Sequence, residues 1–313
     1  MSDQKIAFLF PGQGSQAVGM GRDLADKFTV ARDTFAEADA ALGYSLSKLC
    51  FEGPVEQLKQ TEFTQPAIFA VSMAAYRVLA SRGVEPQIAA GHSLGEYAAC
   101  AAAGVMSFAD AIRSLQSRGK FMQEAVPEGQ GAMAAILGLD ADAVRSVCEA
   151  AAKETNEVVS PANLNSPEQT VISGSAAGVA RASELAKEKG AKKVVPLQVS
   201  APFHCALMQP AQERLAEVLN KIEVKDPRFA IVSNVTADVT RRGGRERDLL
   251  IEQVTAPVRW VDSMRCMVDA GASTFVEVGP GKVLSGLLRQ IDRALKCVNV
   301  EDSTSLDKAL TGS

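Results

Sequence analysis

Gln87-Ile88-Ala89-Ala90-Gly91-His92-Ser93-Leu94-Gly95-Glu96-Tyr97-Ala98-Ala99-Cys100-Ala101-Ala102-Ala103 is the stretch that decides the fold. Gln87 to Ala90 is a short apolar run suited to a buried strand, and Glu96 to Ala103 is alanine-rich and suited to a helix. Between them, Gly91-His92-Ser93-Leu94-Gly95 fits G-x-S-x-G. The two glycines let the chain turn sharply, lifting the Ser93 hydroxyl to the tip of a helix whose free N–H groups and dipole favour a developing oxyanion. A serine N-cap at a glycine-rich turn is the plainer alternative. The strand before and the helix after it favour a nucleophile.

The same alternation extends outward. Lys5 to Phe10 reads as a buried strand ended by Pro11-Gly12-Gln13-Gly14, which suggests a parallel sheet. From Arg22, the positions Leu24, Phe28, Ala31, Phe35, Ala38 and Leu42 trace one face of a helix closed by Gly43. Gln65 to Arg82 and Phe108 to about Ala125 are further helices. Pro127-Glu128-Gly129-Gln130-Gly131 reads as a linker, and a different rhythm follows it. The order is strand 132–137, helix 141–153, strand 157–162, strand 169–173, helix 176–189 and strand 192–199, the βαββαβ order of a ferredoxin-like unit. A helix over 207–221, a strand over 229–233, a polar loop Arg241-Arg242-Gly243-Gly244-Arg245, a helix over 261–270, a strand over 274–278 and a last helix from Lys282 restore the first rhythm. The expectation is an α/β fold with a large domain over 1–127 and 200–313, and a small one inserted at 128–199.

Composition narrows the class. At 313 residues with 47% hydrophobic and 22% charged residues, the chain is an ordinary globular protein rather than a disordered or low-complexity one. A formal charge of -4 is too balanced for a dedicated nucleic-acid or membrane-surface binder. Cys50, Cys100, Cys148, Cys205, Cys266 and Cys297 form no C-x-x-C pair and have no histidine at metal-ligand spacing, so no zinc site is expected. Met1-Ser2-Asp3-Gln4-Lys5 leads straight into Ile6 to Phe10 with no signal-peptide hydrophobic region, and Tyr97 to Ala109 is too short to span a bilayer. A cytoplasmic protein with free thiols is expected.

A serine nucleophile needs a base, and the chain has two histidines, His92 and His204. His92 is adjacent to Ser93 in a tight turn and points away from it, which leaves His204, in Ser200-Ala201-Pro202-Phe203-His204-Cys205, as the base. Cys205 is a weak rival nucleophile, since nothing local marks it as an exposed thiolate. An α/β-hydrolase places an acid between the serine and a late histidine. Here 109 residues follow His204 and no intervening carboxylate stands out, so a neutral group is expected to orient the histidine.

Six motifs in order, Phe10-Pro11-Gly12-Gln13-Gly14-Ser15-Gln16, Gly91-His92-Ser93-Leu94-Gly95-Glu96, Gln116-Ser117-Arg118-Gly119, Ala162-Asn163 with Asn165-Ser166-Pro167, Pro202-Phe203-His204, and Val278-Gly279-Pro280-Gly281, resemble those of the malonyl-CoA:acyl-carrier-protein transacylases. The resemblance spans nearly the whole chain. It implies a hydrolase-like α/β domain with a parallel sheet and an inserted ferredoxin-like subdomain. It implies Ser93 as nucleophile, His204 as general base, and the N–H groups of Gln13 and Leu94 as oxyanion hole. Arg118 would pair with the substrate carboxylate, a task suited to a guanidinium fork, although by spacing alone it reads as a surface charge beside Arg113 and Lys120. Gln253, ahead of Pro257-Val258-Arg259-Trp260, would orient the histidine through its main-chain carbonyl, and Asn163 and His92 would line the substrate site.

The implied activity is ping-pong transfer of malonyl from coenzyme A to the phosphopantetheine thiol of acyl carrier protein in fatty-acid biosynthesis, through a malonyl-serine. No metal, nucleotide or redox cofactor is implied. Malonyl-CoA is the substrate, the carrier a transient partner, and a monomer without nucleic-acid or membrane partners the default. The first rival is a thioesterase or esterase of similar architecture, the second an idle carrier-docking module, and the third a trans-acting polyketide acyltransferase, which shares every motif. Phe203 is compatible with malonyl preference. An acidic carrier calls for a basic rim, for which Lys187, Lys189, Lys192, Lys193, Arg241, Arg242 and Arg245 are candidates.

Overall fold

Five of the six residues of Lys5–Phe10 are apolar, and in the computed structural model they form β1, an inner strand with both faces covered. Residues 5–311 are described; Met1–Gln4, expected to lead into this strand, and residues 312–313 lie outside the described residues. The first part of the chain continues as α1 (Arg22–Lys27), α2 (Thr29–Leu42), α3 (Leu46–Glu52), α4 (Val55–Leu58), α5 (Thr61–Ser81), β2 (Ile88–Gly91), α6 (Gly95–Ala103) and α7 (Phe108–Glu124). There follow β3 (Gly131–Leu137), α8 (Ala141–Thr155), β4 (Val159–Ser166), β5 (Gln169–Ser175), α9 (Ala176–Glu188) and β6 (Lys193–Pro196). The last part is a 3-10 turn (Ala206–Met208), α10 (Gln209–Leu219), β7 (Ala230–Val232), β8 (Val239–Thr240), α11 (Gly243–Glu252), α12 (Trp260–Asp269), β9 (Ala272–Val278), α13 (Val283–Ile291), β10 (Lys296–Val300) and α14 (Ser303–Thr311).

The larger sheet runs β10-β9-β1-β2-β7-β8, parallel throughout except for the short antiparallel edge strand β8. Alternate residues of β1 enter opposite layers: Phe8 and Phe10 pack with α5, while Ala7 and Leu9 pack with Trp260, Met264 and Leu284. The smaller sheet, β4-β5-β3-β6, is antiparallel. Ala134 and Ile136 of β3 pack under α8 and α9, and Met133 and Ala135 join the core that holds Phe8 and Phe10. The edge of β4 is tied to the segment before α12 by Leu164 N–H to Val258 C=O at 2.9 Å and Val258 N–H to Ala162 C=O at 2.8 Å.

Three expectations change. The single helix face from Arg22 is two helices, because Phe28 adopts extended dihedrals (φ -124, ψ 119) between α1 and α2. The polar loop 241–245 instead opens α11: a Cβ on Gly243 would lie 2.2 Å from the Lys225 carbonyl, so the glycine marks a close approach and not a turn. The helix from Lys282 ends at Ile291, and β10 and α14 follow it. Among the described residues no helix is long and apolar enough to cross a membrane.

Candidate active site

β2 ends at Gly91, α6 starts at Gly95, and Ser93 sits between them in the left-handed region at φ 53. Both glycines are required. A Cβ on Gly91 would lie 1.9 Å from the Gly95 carbonyl carbon, and one on Gly95 would lie 2.2 Å from the Phe10 oxygen. Ser93 therefore stands at the carboxyl end of the parallel strands, the place where open α/β sheets bind ligands.

His204 reaches it from the loop after β6. Its Nε2 is 2.8 Å from Ser93 Oγ, while Nδ1 lies 2.9 Å from the Gln253 carbonyl and 3.1 Å from that of Ala256. Carbonyl oxygens only accept, so Nδ1 carries the proton and Nε2 offers its lone pair to the serine. Burial, followed by the positive charge of Arg118, pushes the imidazole pKa down to about 3, against the opposing effect of the two carbonyls. The ring is neutral at pH 7 and free to take a proton. The neutral orienter expected from the missing acid is thus in contact with the ring.

Arg118 is not a surface charge. Arg113 and Lys120 on α7 are exposed, but Arg118 is 1% exposed and points inward. Gly119 permits this, because a Cβ there would lie 2.5 Å from the Thr61 carbonyl at the start of α5. Arg118 Nη2 donates to Ser93 Oγ at 3.0 Å and to Gln253 Oε1 at 2.9 Å, and Nη1 donates to Gln65 Oε1 at 2.9 Å. All three acceptors are neutral. A buried guanidinium held only by neutral acceptors, with Nε left without a partner, retains strong attraction for an entering carboxylate.

Gln253, at the end of α11, is fully buried and serves both groups. Its main chain holds His204; its Oε1 holds Arg118; its Nε2 donates to the Ser93 carbonyl at 3.0 Å and to Glu96 Oε2 at 2.6 Å. Gln13 lies in the loop after β1, beside the turn at Ser93: a Cβ on Gly12 would lie 2.6 Å from the His92 carbonyl. Among the described residues, neither the Gln13 nor the Leu94 backbone N–H has an acceptor in the protein. Two such free donors at the end of β1 and the start of α6 suit an oxyanion.

His92 turns away from Ser93, with Nε2 2.9 Å from Asn165 Oδ1 and its ring 5.3 Å from that of Trp260. Burial lowers its pKa. Asn163 is buried and pairs through its backbone with the Val258 segment, but it makes no hydrogen bond to Ser93, His204 or Arg118. The candidate rim residues are all exposed; Lys192 pairs with Glu168 at 2.9 Å and Arg245 with Glu252 at 2.9 Å. Among the described residues no group of three or more His, Cys, Asp or Glu could hold a metal ion.

Sequence reasoning missed Asn234, Gln65, Asn165 and Glu96 as parts of this network. Asn234 Oδ1 accepts the Ser93 N–H at 2.8 Å and its Nδ2 donates to the Gly91 carbonyl at 2.7 Å, clamping the turn from both sides. Its position directly after the strand expected over 229–233, at the end where α/β strands present ligand-binding residues, was the available signal.

A serine, a neutral imidazole and two free backbone donors define an acyl-transfer site, and the acyl transferase domain family matches residues 7–308. The malonyl CoA-acyl carrier protein transacylase of Bacillus subtilis (strain 168) is 50% identical over 306 residues, covering 98% of this chain and 96% of that one. That of Escherichia coli (strain K12) is 48% identical, covering 98% and 99%. The structure of the Coxiella burnetii transacylase matches with a TM-score of 0.96 at 43% identity, covering 98% and 97%. A malonyl-transacylase solved in complex with its type II PKS acyl-carrier protein matches with a TM-score of 0.96 at 46% identity, covering 99% and 100%. The chain belongs to the malonyl CoA-acyl carrier protein transacylases.

Proposed function

We propose that this chain is an acyl-carrier-protein S-malonyltransferase of fatty-acid biosynthesis, taking malonyl from malonyl-CoA and passing it to the phosphopantetheine thiol of a transiently bound carrier. The observation that carries this reading is that Ser93 Oγ is held at once by His204 Nε2 and by the buried Arg118 guanidinium. His204 takes the serine proton as Oγ attacks the thioester carbonyl. The oxyanion is received by the Gln13 and Leu94 N–H groups, and the C–S bond then breaks as His204 returns the proton to the CoA sulfur. Malonyl remains on Ser93. The carrier thiol repeats the steps, losing its proton to His204 and releasing the serine with that proton.

Arg118 pairs with the free malonyl carboxylate, and Gln253 orients the histidine. His92 acts through Asn165 on the shape of the pocket, with Asn163 at its wall. None of these steps calls for a metal or redox cofactor. The strand orders support a hydrolase-like large domain (1–127 and 200–313) with a ferredoxin-like insertion (128–199). A cytoplasmic monomer completes the reading. The likeness to a transacylase solved with a type II PKS carrier keeps supply of a polyketide carrier as a second reading.

Intact-mass spectrometry after brief incubation with malonyl-CoA, followed by a chase with holo carrier protein, tests the proposal. The expected result is a malonyl adduct that is absent in Ser93→Ala and moves to the carrier. No adduct, or one that decays to free malonate without a carrier product, refutes it. Chasing with fatty-acid and polyketide carriers in parallel separates the two readings.

A further inference from the structure

Glu96 opens the first turn of α6, where an acidic side chain ordinarily faces solvent, yet it is fully buried. No lysine or arginine pairs with it directly. Its Oε2 accepts from Gln253 Nε2 at 2.6 Å and from the Asn234 backbone N–H at 3.2 Å. Arg118 on α7 acts on it only through space, Glu246 of α11 faces it as a second buried carboxyl, and Tyr97 and Cys100 lie near it on its own helix. The Ser233 hydroxyl also acts on it, and because a buried carboxyl without a cation is costly, the short contact with Gln253 must matter.

That contact is the shortest of those that set which way the Gln253 amide faces; the others are to the Ser93 carbonyl at 3.0 Å, Asn234 Oδ1 at 3.3 Å and the Arg118 guanidinium at 2.9 Å. In the observed orientation Nε2 donates to Glu96 and to the Ser93 carbonyl, and Oε1 accepts from Arg118. Turned over, the amide would set an oxygen against the Glu96 carboxyl and against the Ser93 carbonyl, and an NH2 against the guanidinium. All three contacts would become repulsive. We propose that Glu96 is a positioning residue for malonyl selection: by fixing the Gln253 amide with Oε1 toward Arg118, it holds the guanidinium where the malonyl carboxylate must land. The inference rests on the reading of Arg118 given above.

The readout is the ratio of kcat/KM for malonyl-CoA to that for acetyl-CoA, because general loosening lowers both rates and leaves the ratio alone. Glu96→Leu, which keeps the bulk and removes the acceptor, is expected to lower the ratio by about tenfold. Glu96→Gln, which can still offer an oxygen to Gln253 Nε2, is expected to restore most of it. In an Arg118→Ala background Glu96→Leu should lower the ratio no further, since the group it positions is gone. An unchanged ratio in a folded Glu96→Leu enzyme, or an equal further fall in the Arg118→Ala background, overturns the proposal. If Glu96→Leu does not fold, Glu96→Asp serves instead: it withdraws the carboxyl by one methylene, and a ratio unchanged there is equally fatal. Arg118→Ala alone separates the two levels. If it leaves the ratio intact, the reading of Arg118 fails; if it collapses the ratio while Glu96→Leu does not, only the role of Glu96 fails.

Discussion

Lowering the pH tests the electrostatics of His204 more sharply than mutating it. In an unfolded chain the imidazole takes a proton near pH 6.5, whereas in the folded protein burial and Arg118 hold it neutral down to about 3. Between those values the unfolded state binds more protons, so this residue's contribution to stability is lost as pH falls from 6.5 toward 3, by about 5 kcal/mol in full. A melting curve does not isolate that loss. Glu96, raised from 4.5 to about 7, binds its proton in the folded state first and stabilises the fold as pH falls through 7 to 4.5, in the opposite sense. The rate is the cleaner measure. With the folded value near 3, about 99% of His204 remains a competent base at pH 5; with an unshifted ring only about 3% would. Serine malonylation at low substrate, measured by quench and mass spectrometry, should therefore fall less than about twofold between pH 7.5 and pH 5, against about thirtyfold for an unshifted base. Proton NMR of the ring assigns the group directly, since the chain contains two histidines. A His204 resonance titrating between pH 6 and 7, or an acid limb there that persists in Glu96→Gln, would refute the reasoning.

Two further substitutions address the surrounding residues. Arg118→Ala should lower kcat/KM for malonyl-CoA by about two to three orders of magnitude, because a buried carboxylate loses its cation, and that for acetyl-CoA by much less; parallel kinetics with both thioesters check it, and equal losses contradict it. Asn234→Leu should destabilise the fold by about 2–4 kcal/mol, since it leaves the Ser93 N–H and the Gly91 carbonyl without partners, and should slow acylation; urea midpoints and single-turnover rates measure the two effects.

Ser93 was legible because the glycine pattern of its turn lies within five consecutive residues, and His204 because the chain offers so few histidines. Arg118 was legible only through the family resemblance and not from its own spacing, because its burial depends on distant partners: Gln65 is 53 residues away and Gln253 is 135. On its own helix it looks the same as Arg113. The alternation of strands and helices gave the α/β class, but the order of the parallel strands did not follow from it. β2 and β7 pair across everything between Gly91 and Ala230, including the whole antiparallel sheet, and no local pattern encodes that closure. α11 was hidden for a different reason: glycines at positions 243 and 244 read as a turn, whereas at Gly243 the missing side chain admits the Lys225 backbone.

The end of α11 matters to the site as more than an element boundary. Gln253 stands there, and its side chain and main chain act on different partners: the amide on Arg118, the carbonyl on His204. The carbonyl is fixed by the backbone of α11 and is seconded by Ala256, so the orientation of the base depends on the fold rather than on any one side chain. The amide is held through Nε2 by Glu96, the Ser93 carbonyl and Asn234 and through Oε1 by Arg118, and the shortest of these contacts is to Glu96, which lies in the helix that follows Ser93. On the proposed roles, base and carboxylate receptor are placed by one residue through two separable contacts. That separability is why a change at Glu96 should alter which acyl group is accepted before it alters whether the serine can be acylated at all.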